Sequence, residues 1–380
     1  MRSIALAFPF VFAIMGHAQT FPIGSTTRTF FDPVRSRNIP CELYYPGQSA
    51  GANVPVAMGE FPVLVIGHGF VMTVDAYTYL WQHFVPHGYI VVLPTTEGGA
   101  APNHAQFGAD LAYVVTAMQE EHVDGSSSFF GRVAATSALM GHSMGGGASF
   151  LGAANNASIT TVVNFAAAET TPSAIAAAAQ VLVPTLVFAG SADCVTPPAA
   201  HQVPMYNALT VDCRALVSIT DGGHCYFGDP NFLCTFGETT CGLPPLSRAA
   251  QQAVVKDLAT PWLDHQLKGD LGALPVFLDS LASSSRITAQ TTCVATGTNA
   301  LSGSQLVVWP VPADDHLRIS GCTGSTLLRV YDLHGRLWRT STCEGQLTID
   351  CRDLPSGAYV MQLDHNGAVE LRRIVIAHER

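Results

Sequence analysis

Charge is scarce in this 380-residue chain: 12% of residues are charged, and 28 acidic against 18 basic side chains leave a formal net charge of −10. A surface so poor in cations offers no footprint for nucleic acid or an anionic membrane. No uninterrupted apolar stretch after the first residues reaches the roughly 20 residues of a spanning helix. None of the ten cysteines forms a close CxxC pair, so a structural zinc site is not expected. Internal repeats and long low-complexity tracts are also missing.

What is present begins with Arg2, an apolar run from Ile4 to Met15 and the small-residue ending Gly16-His17-Ala18. That order reads as a secretory signal peptide over residues 1–18, with cleavage after Ala18 and a soluble mature protein. All ten cysteines lie beyond it, which suits an oxidising compartment where thiols at this density pair. Local spacing suggests Cys194 with Cys213, Cys234 with Cys241, and two among Cys322, Cys343 and Cys351.

From about Ile23 to Arg286 short apolar runs alternate with helix-sized segments, the pattern of a mostly parallel sheet covered on both faces. The predicted strands are Val63–Gly67, Ile90–Pro94, Ala138–Gly141, Thr161–Phe165, Pro184–Ala189 and Ala215–Thr220. Helices are expected at Ala76–His87, Phe107–His122, Gly145–Ala154 and Ala249–Leu267, giving a doubly wound α/β layout. A Ser/Thr/Gly-rich linker is expected over 288–304. Beyond it, seven short strand-like segments separated by turn pairs such as Asp314-Asp315, His334-Gly335 and Asn366-Gly367 suggest a small all-β sandwich. The expected division is a catalytic domain over 19–287 and a C-terminal domain over 305–380.

Chemistry concentrates at Met140-Gly141-His142-Ser143-Met144-Gly145-Gly146. This G-x-S-x-G spacing follows a predicted strand and opens a predicted helix, the context in which a sharp turn lifts a serine hydroxyl into a cleft. The Met144 N–H then stands at a helix N-terminus, ready to meet negative charge developing on a carbonyl oxygen. No lysine follows as a phosphate loop would require. The loop Val65-Ile66-Gly67-His68-Gly69-Phe70 should supply a second such donor, the Phe70 N–H, with His68 fixing the loop by hydrogen bonds.

A serine hydroxyl needs a base, and the base needs a carboxylate to orient it. Gly190-Ser191-Ala192-Asp193 and Asp221-Gly222-Gly223-His224 each follow a predicted strand, at the edge where open α/β sheets bind ligands. The assignment is Ser143 as nucleophile, His224 as base and Asp193 as acid. Asp221, three residues before the histidine, is the rival acid and is read as shaping the turn. His201 and His265 are read as packing or surface residues.

On Gly67-His68-Gly69-Phe70, Gly141 to Gly146, Ala189-Gly190-Ser191-Ala192-Asp193 and Gly223-His224, residues 20 to 285 resemble the cutinase and dienelactone-hydrolase branch of α/β-hydrolases, bacterial polyester (PET) hydrolases above all. Residues 306 to 380 are similar to the C-terminal sorting domain of the type IX (Por) secretion system. The matching pieces are Trp309-Pro310-Val311-Pro312-Ala313, Val330-Tyr331-Asp332-Leu333-His334-Gly335-Arg336 and Leu354-Pro355-Ser356-Gly357-Ala358-Tyr359. The first resemblance implies Phe70 and Met144 as oxyanion donors and as floor of an ester site. One departure stands out: where many polyester hydrolases carry a Trp, this chain reads Ala166-Ala167-Ala168-Glu169-Thr170-Thr171, so that stacking surface for an aromatic acid is absent.

Only about fifteen residues separate that loop from the next strand, too few for the lid this fold inserts there. An open cleft with Phe70, Met144, Glu169 and Tyr226 as substrate contacts, and Phe227 and Phe232 as further apolar lining, suits bulky or polymeric esters. Cys225, beside the proposed base, is expected in a disulfide that fixes the histidine loop. The reading is a secreted, monomeric serine esterase that needs no cofactor or metal, exported through secretion machinery that reads its C-terminal domain. Another hydrolase or peptidase on this fold, and a non-catalytic surface-binding protein, are the alternatives.

Overall fold

A computed structural model describes residues 20–294, 307–309, 313–332, 336–365 and 368–378. The predicted signal peptide, residues 295–304 of the predicted linker and the turn pairs His334-Gly335 and Asn366-Gly367 lie outside the described residues. The chain divides into two compact units between Cys293 and Val294.

The first unit contains β1 (Ile23–Asp32), β2 (Arg37–Pro46), β3 (Gly51–Ala52), β4 (Phe61–Gly67), α1 (Thr78–Phe84), β5 (Ile90–Pro94), α2 (His104–Val123), β6 (Val133–His142) and α3 (Met144–Ala153). It continues with β7 (Thr161–Phe165), α4 (Ala174–Ala178), β8 (Thr185–Gly190), α5 (Gln202–Ala208), β9 (Arg214–Ile219), α6 (Phe232–Gly237), α7 (Arg248–Lys268), α8 (Ala273–Ser283) and β10 (Ile287–Thr291).

These strands form one ten-stranded sheet in the order β10-β9-β8-β7-β6-β4-β5-β2-β1-β3. Neighbours from β5 through β4, β6, β7 and β8 to β9 are parallel, whereas β1, β2 and β10 add antiparallel margins. Every residue of β4, β5, β7 and β8 is buried, which explains why their sequences lack period-two alternation. One face is covered by α2 to α5 around Phe107, Leu111, Phe150 and Met205. The other is covered by α1, α7 and α8 around Leu80, Trp262 and Phe277. The chain leaves β4 toward β5 on one side and then crosses to β6 on the other. The carboxyl ends of β4 and β6 therefore meet at a topological switch point, where α/β sheets open a crevice.

The sheet extends further at its end than the sequence suggests. Thr288–Thr291, expected as the start of a linker, belong to β10, which pairs with β9 from Ile287↔Ile219 to Thr291↔Ala215. The Cys213–Cys293 disulfide follows directly. The polar composition of Ile-Thr-Ala-Gln-Thr hides this strand, since only Ile287 is buried.

The second unit is antiparallel and all-β: β11 (Val307–Trp309), β12 (His316–Asp332), β13 (Leu337–Asp350), β14 (Gly357–His365) and β15 (Ala368–Ile376). Pairs of predicted short strands fuse into β12 and β13. Gly321 and Gly345 take positive φ (85° and 80°), which shifts the register of a continuing hairpin instead of ending it. The Cys322–Cys343 disulfide ties the two strands at that irregularity.

Candidate active site

Ser143 occupies the turn between β6 and α3 with φ 54° and ψ −118°, a conformation that costs a non-glycine residue on the order of 1–3 kcal/mol. The surroundings hold it there. Its N–H donates to Phe165 O (3.0 Å), and its carbonyl accepts from Gly147 N (3.1 Å) and Ala168 N (2.8 Å). The flanking glycines are dictated by backbone approach: a Cβ on Gly141 would lie 2.2 Å from Gly145 O, and one on Gly145 would lie 2.2 Å from Gly67 O.

His224 follows β9 and Asp193 follows β8, so parallel strand order delivers both to the edge that carries Ser143. His224 Nε2 lies 2.9 Å from Ser143 Oγ, and its Nδ1 lies 2.8 Å from Asp193 Oδ2. All three are buried, at 8%, 4% and 3% exposure for Ser143, Asp193 and His224. Asp193 Oδ1 accepts from the N–H groups of Val195 and Thr196, both at 2.8 Å. The Thr196 hydroxyl stands 2.9 Å from Asp193 Oδ2 and 3.1 Å from His224 Nδ1, and accepts from Gln202 Nε2 (3.2 Å). Thr196 was not singled out from the sequence, although Asp-x-x-Thr at a strand end is the pattern of an acid that caps its own turn.

The His224 loop is clamped from both sides. Gln251 accepts from Gly223 N (2.9 Å) and donates to Gly223 O (2.8 Å). The buried Glu238 carboxylate accepts from the N–H of His224 (2.5 Å) and of Cys225 (3.3 Å).

A second chain of contacts links this loop to the loop after β4. Burial, followed by the charge of neighbouring His224, holds His142 well below the usual imidazole range, so it is neutral. Its Nε2–H donates to His224 O (3.1 Å), which assigns Nδ1 as acceptor of the Tyr77 hydroxyl (3.0 Å). The Tyr77 oxygen in turn accepts from Gly69 N (2.7 Å), and burial pushes its phenol up. His68 meets the Gly69 and Thr96 carbonyls (2.9 and 2.8 Å), the loop-fixing role expected of it. The N–H groups of Phe70 and Met144 have no acceptor among the described residues.

Other expected contacts lie elsewhere. The Met144 side chain is buried in the core beside α2 and α3. Glu169 turns its carboxylate to Ile175 N (2.9 Å) at the start of α4, and Tyr226 lies beneath Arg248 at 4.4 Å from the guanidinium to its ring centroid. Phe227 is core, and Asp221 is exposed in a positive-φ turn away from His224 Nδ1. His201 accepts from Glu169 N (2.9 Å), and His265 lies against Asp270 O.

The cleft holding Ser143 and His224 has a volume of about 280 Å³, and Phe70, Val71, Val195, Leu233 and Phe236 are among its lining. Part of its wall comes from α6, after His224, and none from the loop after β7. The Cys225–Cys234 disulfide holds that wall directly, and Cys194–Cys241 ties down the stretch that follows it. Both correct the pairings expected from spacing: Cys194 follows β8 at one edge of the parallel sheet, whereas Cys213 precedes β9 at the opposite edge. Cys225, beside His224, is bridged as expected. Among the described residues the group whose ligand atoms could gather on a metal is Asp314, Asp315 and His378, in the second unit.

Residues 39–237, just over half of the chain, match the PET hydrolase-like family model, and residues 307–377 match that of the secretion system C-terminal sorting domain. Similar proteins include cutinase est1 of Thermobifida alba, 27% identical over 171 residues, covering 44% of this chain and 51% of that protein. Cutinase cut1 of Thermobifida fusca is 26% identical over 184 residues, with 47% and 51% covered. The bis(hydroxyethyl) terephthalate hydrolase of Streptomyces coelicolor is 26% identical over 185 residues, with 48% and 54% covered. The chain thus spans about half the length of these relatives. The C-terminal match marks the chain for export to the cell surface or beyond.

Proposed function

Because the chain belongs to the PET hydrolase-like family, we propose that it is a serine carboxylic-ester hydrolase working through an acyl-enzyme, on bulky or polymeric esters. The observation that carries this reading is the unbroken run of contacts from Asp193 Oδ2 through His224 to Ser143 Oγ, at 2.8 and 2.9 Å. Names of relatives support the substrate class, since they include cutinases and a terephthalate ester hydrolase.

In the proposed reaction His224 Nε2 takes the Ser143 proton as Oγ bonds to the ester carbonyl carbon. The oxyanion is met by the free N–H groups of Phe70 and Met144, each of which would be worth about 10²–10³ in turnover. His224 then passes the proton to the departing alcohol as the C–O bond breaks. Water repeats the sequence on the acyl-enzyme and releases the acid. Asp193, held by two backbone N–H groups, keeps Nδ1 protonated and steadies the imidazolium. We assign this chemistry to the unit ending at Cys293 and export to residues 305–380.

The test is Ser143→Ala with p-nitrophenyl acetate, beside fluorophosphonate labelling of the unaltered protein. Turnover should fall to the residual about 10³–10⁴ over water that oxyanion donors and binding retain. Undiminished hydrolysis by the variant, or an unlabelled Ser143, would sink the reading and favour a surface-binding protein.

A further inference from the structure

The cleft has an apolar wall that no residue of the catalytic run supplies. Phe232, Leu233 and Phe236 on α6 are 82%, 49% and 68% exposed, an unusual concentration on a single helical turn and a half. Phe232 and Phe236, four residues apart, stack with centroids 6.5 Å apart and an interplanar angle of 22°. Leu233 and Phe236 share the cleft with Ser143 and His224, and with Phe70 and Val195, themselves 49% and 38% exposed.

A six-residue helix cannot hold such a surface in place by itself. Here it is anchored at three points. Asn231 caps its N-terminus through Cys234 N (3.1 Å), Cys234 within it is bridged to Cys225 beside His224, and just past its end Glu238 reaches back to the His224 backbone while Cys241 is bridged to Cys194 beside Asp193. The anchoring fixes the wall relative to the reacting atoms, so a group leaning on it is also oriented for attack. The loop after β7 begins with the small side chains Ala166 to Ala168 and a Glu169 engaged with α4, and none of its residues is among the cleft lining.

We infer that the disulfide-held α6 segment, through Phe236 and Leu233, is the specificity wall of the ester site, selecting a flat or bulky apolar group beside the scissile carbonyl. The inference rests on the ester-hydrolase reading. The occupant is set by the lining: apart from Ser143 and His224 the cleft presents no titrating or charged side chain, so a polar acid would lose solvation there without a partner.

The experiment compares kcat/KM for p-nitrophenyl benzoate and p-nitrophenyl acetate in the full chain, in Phe236→Ala and Leu233→Ala, and in Phe236→Trp as the conservative replacement. Both alanine sites are exposed, so folding should survive. The benzoate-to-acetate ratio should fall about tenfold in Phe236→Ala, the scale of a lost apolar contact in a specificity pocket, mainly through KM. Phe236→Trp should restore it. A ratio unchanged in both alanine variants would overturn the wall while leaving the hydrolase intact. If the unaltered protein cleaves neither ester, it is the ester-hydrolase reading that fails.

Discussion

Replacing Tyr77 with Phe removes one oxygen and leaves the ring in place. The side chain is fully buried, and its hydroxyl accepts from Gly69 N at 2.7 Å and donates to His142 Nδ1 at 3.0 Å, with the softer Met72 Sδ at 3.5 Å beside it. Gly69 N and His142 Nδ1 lie where water does not reach, so each loses its partner outright, at about 1–3 kcal/mol apiece. No longer burying the hydroxyl recovers part of this, leaving about 3 kcal/mol net. For a unit of roughly 275 residues the unfolding entropy is about 0.6 kcal/mol/K, so the melting temperature should drop by about 5 °C. A second effect is kinetic. Gly69 precedes Phe70, whose N–H is the proposed oxyanion donor, so loosening that turn should lower kcat about tenfold, short of the 10²–10³ for losing the donor. Calorimetry and p-nitrophenyl acetate kinetics read the two effects. Tyr79→Phe is the comparison, because its hydroxyl has the single acceptor Phe227 O (3.0 Å) and should cost about 1 kcal/mol. If Tyr77→Phe melts and turns over like the parent, the link between the two loops through His142 is not carried by that hydroxyl.

Thr196→Val keeps the shape but deletes the hydroxyl between Asp193 and His224; kcat should fall about tenfold with KM little changed, and an unaltered kcat would dismiss the contact. The double change Cys213→Ser with Cys293→Ser opens an 80-residue loop and should cost about 4 kcal/mol, read as a lower urea midpoint; an unmoved midpoint would mean β10 holds without its bridge. Stability should fall on acidification. Below the ordinary imidazole value of 6.5 the unfolded chain protonates His142 while the folded chain does not, so the unfolded state binds more protons and the loss from this group approaches 1.4 kcal/mol per pH unit. His83, pushed down to about 4 by burial and then by His87, adds to the loss between 6.5 and about 4. A urea midpoint that stays flat from pH 7 to 5 would contradict both.

The parallel core and the positions of Ser143, Asp193 and His224 at the sheet's carboxyl edge were legible because their signals are local. Buried strands appear as short apolar runs, and Gly141, Ser143 and Gly145 carry their geometry in their spacing. The hairpin of β1 and β2 escaped notice because its polar residues alternate only loosely with buried ones. Disulfide partners were misjudged because sequence proximity does not report which edge of a parallel sheet a loop occupies, as Cys194 and Cys213 illustrate. The positioning groups Tyr77, Gln251 and Glu238 had no motif at all, and Thr196 had only the weak Asp-x-x-Thr turn pattern. Each is an ordinary polar residue whose partner comes from another stretch of chain, and only the folded topology reveals it.

The bridge at Cys293 has a mechanical consequence. A pull exerted on the C-terminal tail, whether by an export machine or by an anchored cell in flow, arrives at Cys293 before it arrives at β10. The covalent link to Cys213, next to the first residue of β9, diverts that load into the interior strand, so the hydrogen bonds from Ile287 to Thr291 are shielded from peeling. The first unit can thus be towed from its own end without its sheet unravelling from that margin.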